Sequence, residues 1–151
     1  MDTVVEGIEQ DIDSWMALVK SVRWSFPGLE TEAALNEHRN AVLEFMQQKR
    51  AICVKDEEKI VGVLLFSYKY NMICCLAVSS DYRKQGLGSK LLVYALEKLD
   101  RTRPITVSTF REEDEKGAAP RALYKKYGFI PDALSEEFGY PNQKFILYPN
   151  M

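Results

Sequence analysis

A chain of 151 residues, 46% hydrophobic and 28% charged, suits a single domain with a sizeable core and leaves no room for a second catalytic domain. A net charge of −2 and an isoelectric point near 5.5 give no electrostatic basis for general nucleic-acid or membrane-surface binding. The amino terminus, Met1 to Glu6, lacks a basic region followed by an apolar core, and no apolar run approaches a membrane span, so the cytoplasm is the expected location.

Val4 to Gln10 reads as a short first strand. From Asp11 the residues Ile12, Trp15, Met16, Val19, Val22 and Phe26 recur at helical spacing; Asp11 or Asp13 offers a cap, and Pro27-Gly28 ends this first helix. Thr31 caps a second helix, whose stripe of Ala34, Leu35, Val42, Phe45 and Met46 leads to Lys49 and Arg50 at its carboxyl end. His38, the one histidine, falls mid-helix between Glu37 and Arg39, a spacing that predicts a surface position rather than a ligand or base.

Runs rich in Ile, Val, Leu, Phe and Cys predict three strands, Ala51 to Lys55, Lys59 to Lys69 and Asn71 to Val78. The turns Asp56-Glu57-Glu58 and Tyr70-Asn71 join them as an antiparallel meander. Leu87, Leu91, Leu92, Ala95, Leu96 and Leu99 mark a third helix opening near Ser89, Pro104 to Phe110 a further strand, and Ala118 to Tyr127 a fourth helix that Gly128 breaks. Phe129-Ile130 and Lys144 to Tyr148 supply the last strands, on either side of a loop from Asp132 to Asn142. There is no internal repeat, low-complexity tract or linker, and the mixed order argues one α/β or α+β domain.

Cys53, Cys74 and Cys75 lie in strand-like segments without a C-x-x-C spacing or a histidine neighbour, which predicts buried, reduced thiols. Adjacent strand residues face opposite ways, so Cys74 and Cys75 are not expected to line one pocket or to chelate one metal. Neither Gly-x-Ser-x-Gly nor a Cys-His pairing is present to support hydrolase chemistry.

Arg83-Lys84-Gln85-Gly86-Leu87-Gly88 stands between the strand ending at Val78 and the third helix. Gly86 and Gly88 have no Cβ, so the backbone can take positive φ and admit a close ligand, while the helix start offers free N–H groups and the positive end of its dipole. A pyrophosphate fits such a site, with Arg83 and Lys84 adding charge; a tight turn from strand to helix would satisfy the same glycines. The P-loop string is absent, and a dinucleotide fingerprint needs a small residue where Leu91 stands.

The remaining form, Arg-x-x-Gly-x-Gly between strand and helix, is followed by a second segment, Ala122-Leu123-Tyr124-Lys125-Lys126-Tyr127-Gly128-Phe129. Together, and in this element order, they resemble the GCN5-related N-acetyltransferases (GNAT) over almost the whole chain. The resemblance implies an α/β (α+β) acyl-CoA N-acyltransferase fold in one domain, residues 1–151, with a mixed, mostly antiparallel sheet flanked by about four helices. It implies acetyl-CoA as co-substrate, no metal, and transfer to a primary amine of a small molecule, peptide or antibiotic by direct attack in a ternary complex. Leu76, Ala77 and Val78 would pair through their backbone with the pantetheine arm. The N–H groups of Arg83, Lys84, Gln85, Gly86, Leu87 and Gly88 would hold the pyrophosphate, with Ser89 a further donor.

Tyr124 is the implied general acid toward the CoA thiolate, being protonated at pH 7, although periodicity alone reads it as one more core aromatic. Tyr127 reads as packing, and Asp81 and Tyr82 as a turn and hydrophobic staple. Some members of the family carry a glutamate on the fourth strand as base; here Met72 stands there, followed by Cys74 and Cys75. Glu30 and Glu32, between the first two helices where the family builds its acceptor site, and Glu136 and Glu137 in the late loop are the nearest carboxylates by position, and each also fits a solvated surface. Trp24, Phe26 and Pro27 suit an apolar rim to the acceptor site, and Trp24 suits the core equally. The acidic run Glu112 to Glu115 and the pair Glu136-Glu137 would attract a cationic amine, or form solvated runs partly neutralised by Arg111, Lys116 and Arg121. A homodimer through the late strands is left open. The missing strand glutamate keeps an alternative in view, a non-catalytic acyl-CoA-binding or regulatory domain of the same fold, and the loop alone keeps a nucleotide-phosphate binder on another α/β fold.

Overall fold

A computed structural model describes residues 3–22, 28–111, 118–137 and 140–149. In chain order its strands are β1 (Val4–Glu6), β2 (Ala51–Asp56), β3 (Lys59–Ser67), β4 (Met72–Val78), β5 (Ile105–Phe110), β6 (Ile130–Glu137) and β7 (Tyr140–Leu147). The helices among the described residues are α1 (Ile12–Ser21), α2 (Glu32–Gln47), α3 (Leu87–Lys98) and α4 (Ala118–Lys126). The strands form one sheet in the order β1-β2-β3-β4-β5-β7-β6, antiparallel throughout except where β4 meets β5. This is the mixed, mostly antiparallel α/β architecture that the resemblance implies. No helix among the described residues is long and apolar enough to cross a membrane.

Each face of the sheet has its own core. On one face α1 and α2 bury Trp15, Leu18, Val19, Leu35, Val42 and Met46 against Ala51, Cys53, Val63, Leu65 and Ala77. On the other, α3 and α4 bury Leu87, Leu91, Leu92, Ala95 and Tyr124 against Ile52, Leu64, Phe66, Ile73, Val107 and Phe145. The helical and period-two spacings of the apolar residues explain this division, since each spacing presents one stripe to one layer.

Several element boundaries differ from the sequence expectation. β1 stops at Glu6 because the Ile8 N–H donates to Asp11 Oδ2 at 3.0 Å, drawing the chain into a 3-10 turn over Glu9–Asp11. Asp11 therefore does not cap α1 with its side chain; it is buried and ion-paired with Lys55 at 2.8 Å. Thr31 does cap α2, its Oγ1 accepting the Ala34 N–H at 3.1 Å. The expected loop from Asp132 to Asn142 is instead mostly the hairpin of β6 and β7. Its prolines are tolerated because Pro131 lies on the edge strand and Pro141 lies beyond the last β5–β7 pair, Phe110 with Asn142.

The start of β4 is tied to β5 through Asn71, which is 2% exposed and adopts a φ of +51°. Its Nδ2 donates to the carbonyls of Asp100 at 2.9 Å and Pro104 at 3.0 Å, and its Oδ1 accepts the Asp100 N–H at 2.8 Å. One side chain thus holds the β3–β4 turn against the connection that leads from α3 into β5.

Candidate acyl-transfer site

β4 and β5 run side by side for only two pairs, Met72 with Thr106 and Ile73 with Val107. Beyond these, β4 stays with β3 and β5 stays with β7, so the sheet opens between them from Cys74 onward. A cavity of about 760 Å³ fills the opening. Its walls draw Val22, Leu65 and Ala77 from the core under α1 and α2, and Leu87 and Tyr124 from the core under α3 and α4. The cavity therefore reaches both faces of the sheet.

A β-bulge shapes its wall. Leu65 pairs with Cys75 and Phe66 with Ile73, leaving Cys74 as an extra residue on β4. The bulge changes the facing of the strand, so that Ile73 joins one core while Cys75 packs on the other. Cys74 and Cys75 consequently both line the cavity, contrary to the simple alternation expected from sequence. Only Cys53 is buried as expected; Cys74 is exposed and Cys75 half-buried. Although the Cys74 residue is exposed, desolvation at its sulfur pushes the thiol up to about 11, opposed by the charge of Arg50, and burial pushes the Cys75 thiol up to about 12.

At one end of the cavity lies the glycine loop. α3 begins at Leu87, with Gly86 as its N-cap in the left-handed region at φ +78°. Gly88 is not in that region; the second positive φ belongs to Lys84, at +64°. Gly88 serves close packing instead, since a Cβ there would stand 3.3 Å from Leu123, whereas one on Gly86 would meet nothing within 4 Å. Leu76, Ala77, Val78, Arg83, Lys84, Gly86, Leu87, Gly88 and Ser89 all line the cavity, and Gln85 is exposed outside it. Tyr82 lines it too, with its ring packed against the core under α3 and α4 and its hydroxyl donating to Asp56 Oδ2 at 2.6 Å.

Tyr124 comes to the same cavity from α4, with Ala119, Pro120 and Leu123 on the same helical face. Its ring is 3% exposed and sits 5.6 Å from that of Phe129 and 6.5 Å from that of Phe145. The end of α4 fixes its position. Phe129 N–H donates to the Tyr124 carbonyl at 3.0 Å and Gly128 N–H to the Lys125 carbonyl at 3.0 Å, with Gly128 at φ +94°. This paired closure needs a left-handed residue at Gly128, which accounts physically for the Tyr-x-x-x-Gly-Phe pattern. Burial, with a smaller contribution from the Cys75 charge, raises the phenol above its ordinary range, so it stays protonated at neutral pH. The start of α4 is held by Arg121, buried rather than solvated, whose Nη1 donates to the Arg111 carbonyl at 2.6 Å.

The other end of the cavity is lined by Val22, Leu29, His38, Ala41 and Phe45. His38 is therefore not the surface residue expected from its charged neighbours. Its Nε2 is enclosed without a hydrogen-bond partner, and desolvation lowers the imidazole below its ordinary range. Phe45 carries the Arg50 guanidinium 4.1 Å above its ring. His38, Ala41 and Phe45 are spaced three and four apart, so following the stripe of Phe45 backward along α2 would have found the histidine. Ser108 and Thr109 of β5 and Asn142 of β7 also line the cavity, and only the parting of the strands brings them there.

No carboxylate is among the described residues lining the cavity. Glu30 is exposed and accepts the Gly28 N–H at 3.3 Å; Glu32 is exposed and faces Lys20 at 3.9 Å; Glu136 is exposed on β6. Trp24, Phe26, Pro27 and residues 112–117 lie outside the described residues, as does the side chain of Glu137. No cluster of three or more His, Cys, Asp or Glu among the described residues is placed to hold a metal.

The neutral, desolvated His38 has a consequence for stability. With its folded pKa below the unfolded value, the unfolded chain binds the extra proton first, so stability falls as pH drops through the ordinary imidazole range toward the folded value. Below the folded value both states are charged and this contribution levels off. Urea midpoints of the intact protein should fall between about pH 7.5 and 5.5, and the fall should be smaller in His38→Gln.

A family model described as an acetyltransferase (GNAT) domain matches residues 47–131. Among solved structures, a GNAT-family acetyltransferase from Bacillus cereus is similar at 22% identity and a TM-score of 0.76, over 100% of this chain and 99% of that one. A ribosomal-protein-alanine N-acetyltransferase from Brucella melitensis is similar at 20% identity and a TM-score of 0.72, over 95% and 97% of the two chains. The PaiA N-acetyltransferase from Thermoplasma acidophilum, solved in complex with coenzyme A, is similar at 12% identity and a TM-score of 0.69, over 94% and 96%. No curated protein matches in sequence.

Proposed function

Because the chain belongs to the GNAT acetyltransferase family, we propose that it moves an acetyl group from acetyl-CoA to a primary amine of a small molecule, peptide or antibiotic. The observation that carries this reading is the single cavity between the parted strands, with the glycine loop at one end and Tyr124 in its wall. The residues suit acetyl-CoA. β4 from Cys74 to Val78 has no β5 partner, so its backbone groups on that edge are free to bind an extended chain. The start of α3 and the open space at Gly86 suit a pyrophosphate, and Arg83 and Lys84 add positive charge. Ser89, in the first turn of α3, is a further donor.

The thioester supplies an activated acetyl group. The amine nitrogen forms the new C–N bond, the C–S bond breaks, and Tyr124 gives its phenolic proton to the departing sulfur. Direct attack by the amine is supported by the raised thiols of Cys74 and Cys75, which stay protonated at neutral pH and so are poor nucleophiles.

The test is release of free thiol from acetyl-CoA in the presence of spermidine, kanamycin, 2-phenylethylamine, amino acids and short peptides, beside calorimetry with acetyl-CoA, ATP and NAD. Tight binding of acetyl-CoA alone and turnover with at least one amine are expected. Binding of acetyl-CoA without turnover of any amine would favour the non-catalytic acyl-CoA-binding alternative.

A further inference from the structure

We propose that His38 is the general base of the transfer, taking the proton that the attacking amine must lose; this rests on the acetyltransferase reading above. The amine needs a proton acceptor inside the cavity, and β4 provides no carboxylate. Met72 stands where a glutamate would, and none of the described residues lining the cavity is Asp or Glu.

Among the described residues that line it, the remaining ionisable groups are Cys74, Cys75, Tyr82, Tyr124, Arg83 and Lys84. Arg83 and Lys84 are cations beside the glycine loop, and the two thiols and two phenols are all raised and hold their own protons near neutrality. Among the described residues, His38 is what is left. It enters from α2, on the face of the sheet opposite α3 and α4, alongside Val22, Leu29, Ala41 and Phe45. Its neighbours on α2, Glu37 and Arg39, do not line the cavity.

The state of the imidazole fits the task. Part of the residue lines the cavity, and Nε2 itself is enclosed with no hydrogen-bond partner among the described residues. Desolvation keeps the ring neutral, so a lone pair is available at physiological pH. In the transfer the amine N–H proton passes to His38 as the C–N bond forms, while the Tyr124 proton passes to sulfur as the C–S bond breaks. One proton moved from imidazolium to phenolate, through solvent, restores both residues. The net reaction is amine plus thioester to amide plus thiol.

The experiment compares wild type, His38→Gln and His38→Ala in the thiol-release assay, using the amine from the panel that wild type turns over fastest, between about pH 5 and 9. His38→Gln should lose about 10²-fold in kcat/KM for the amine at neutral pH, lose the acid limb of the profile, and bind acetyl-CoA within about twofold of wild type. Imidazole added to His38→Ala should restore part of the lost turnover, which a purely packing role would not allow. An unchanged rate and acid limb in His38→Gln, or a loss that imidazole fails to rescue, would overturn the assignment and leave acetyl transfer standing. Wild type that binds acetyl-CoA but acetylates no amine would overturn both. Should the variants fail to fold, NMR titration of wild type is decisive, because the chain has one histidine. The imidazole must titrate with the pKa of the acid limb, and a mismatch sinks the role.

Discussion

Tyr124→Phe should reduce turnover about 10²-fold or more while leaving acetyl-CoA affinity nearly unchanged. The substitution removes one oxygen from a ring that is 3% exposed and packed near Phe129 and Phe145, so the ring and the closure at Gly128 remain. A stability loss is therefore not expected to confuse the result, and the thermal midpoint should stay within a few degrees, since about 1 kcal/mol shifts it by roughly that much. The raised phenol carries a second expectation: wild-type turnover should not decline across the ordinary tyrosine range near pH 10 through loss of this proton. Steady-state kinetics with acetyl-CoA and the best amine of the panel, with calorimetry for CoA, check both. Unchanged turnover in the variant removes Tyr124 from proton transfer.

The largest loss of stability is expected from Asn71→Ala, about 2–4 kcal/mol by urea denaturation. The side chain is buried, and its removal strands the Pro104 carbonyl and the Asp100 N–H, while the Asp100 carbonyl keeps only the Arg103 N–H at 3.3 Å. Alanine at φ +51° adds roughly 1–2 kcal/mol of backbone strain that asparagine, tolerant of this region, largely avoids. Asn71→Gly separates the two contributions, because it relieves the strain but cannot restore the hydrogen bonds. It should recover about 1 kcal/mol relative to alanine. An alanine variant as stable as wild type would show that the β4–β5 junction is held by its strand pairs alone.

What was legible in the sequence was local. The glycine loop could be read because the apolar spacing changes from strand to helix across it, and Tyr124 because its relation to Gly128 and Phe129 is one helix ending. Their meeting in one cavity followed from the fold that those motifs implied. The opposite wall was not legible. His38 sits between charged neighbours, and its three-and-four spacing to Ala41 and Phe45 is the one local sign of its face; that this face turns toward a gap in the sheet is set by the fold. The bulge at Cys74 was equally hidden, since no residue type there demands an extra position, and the strict alternation assumed for β4 placed the two cysteines apart. The late hairpin was missed because two prolines and several acidic residues read as loop, although edge positions accept both.

A cavity walled from both sides of the sheet gives each ligand a wall of its own. On the proposed reading, thioester and amine need not lie against the same one. A bulky acceptor can protrude past Leu29 and Phe45 without displacing anything seated along Arg83 to Ser89. Free CoA should then compete with acetyl-CoA but not with the amine, and exchanges at Leu29, Ala41 or Phe45 should retune which amines are taken while the thioester end keeps its grip.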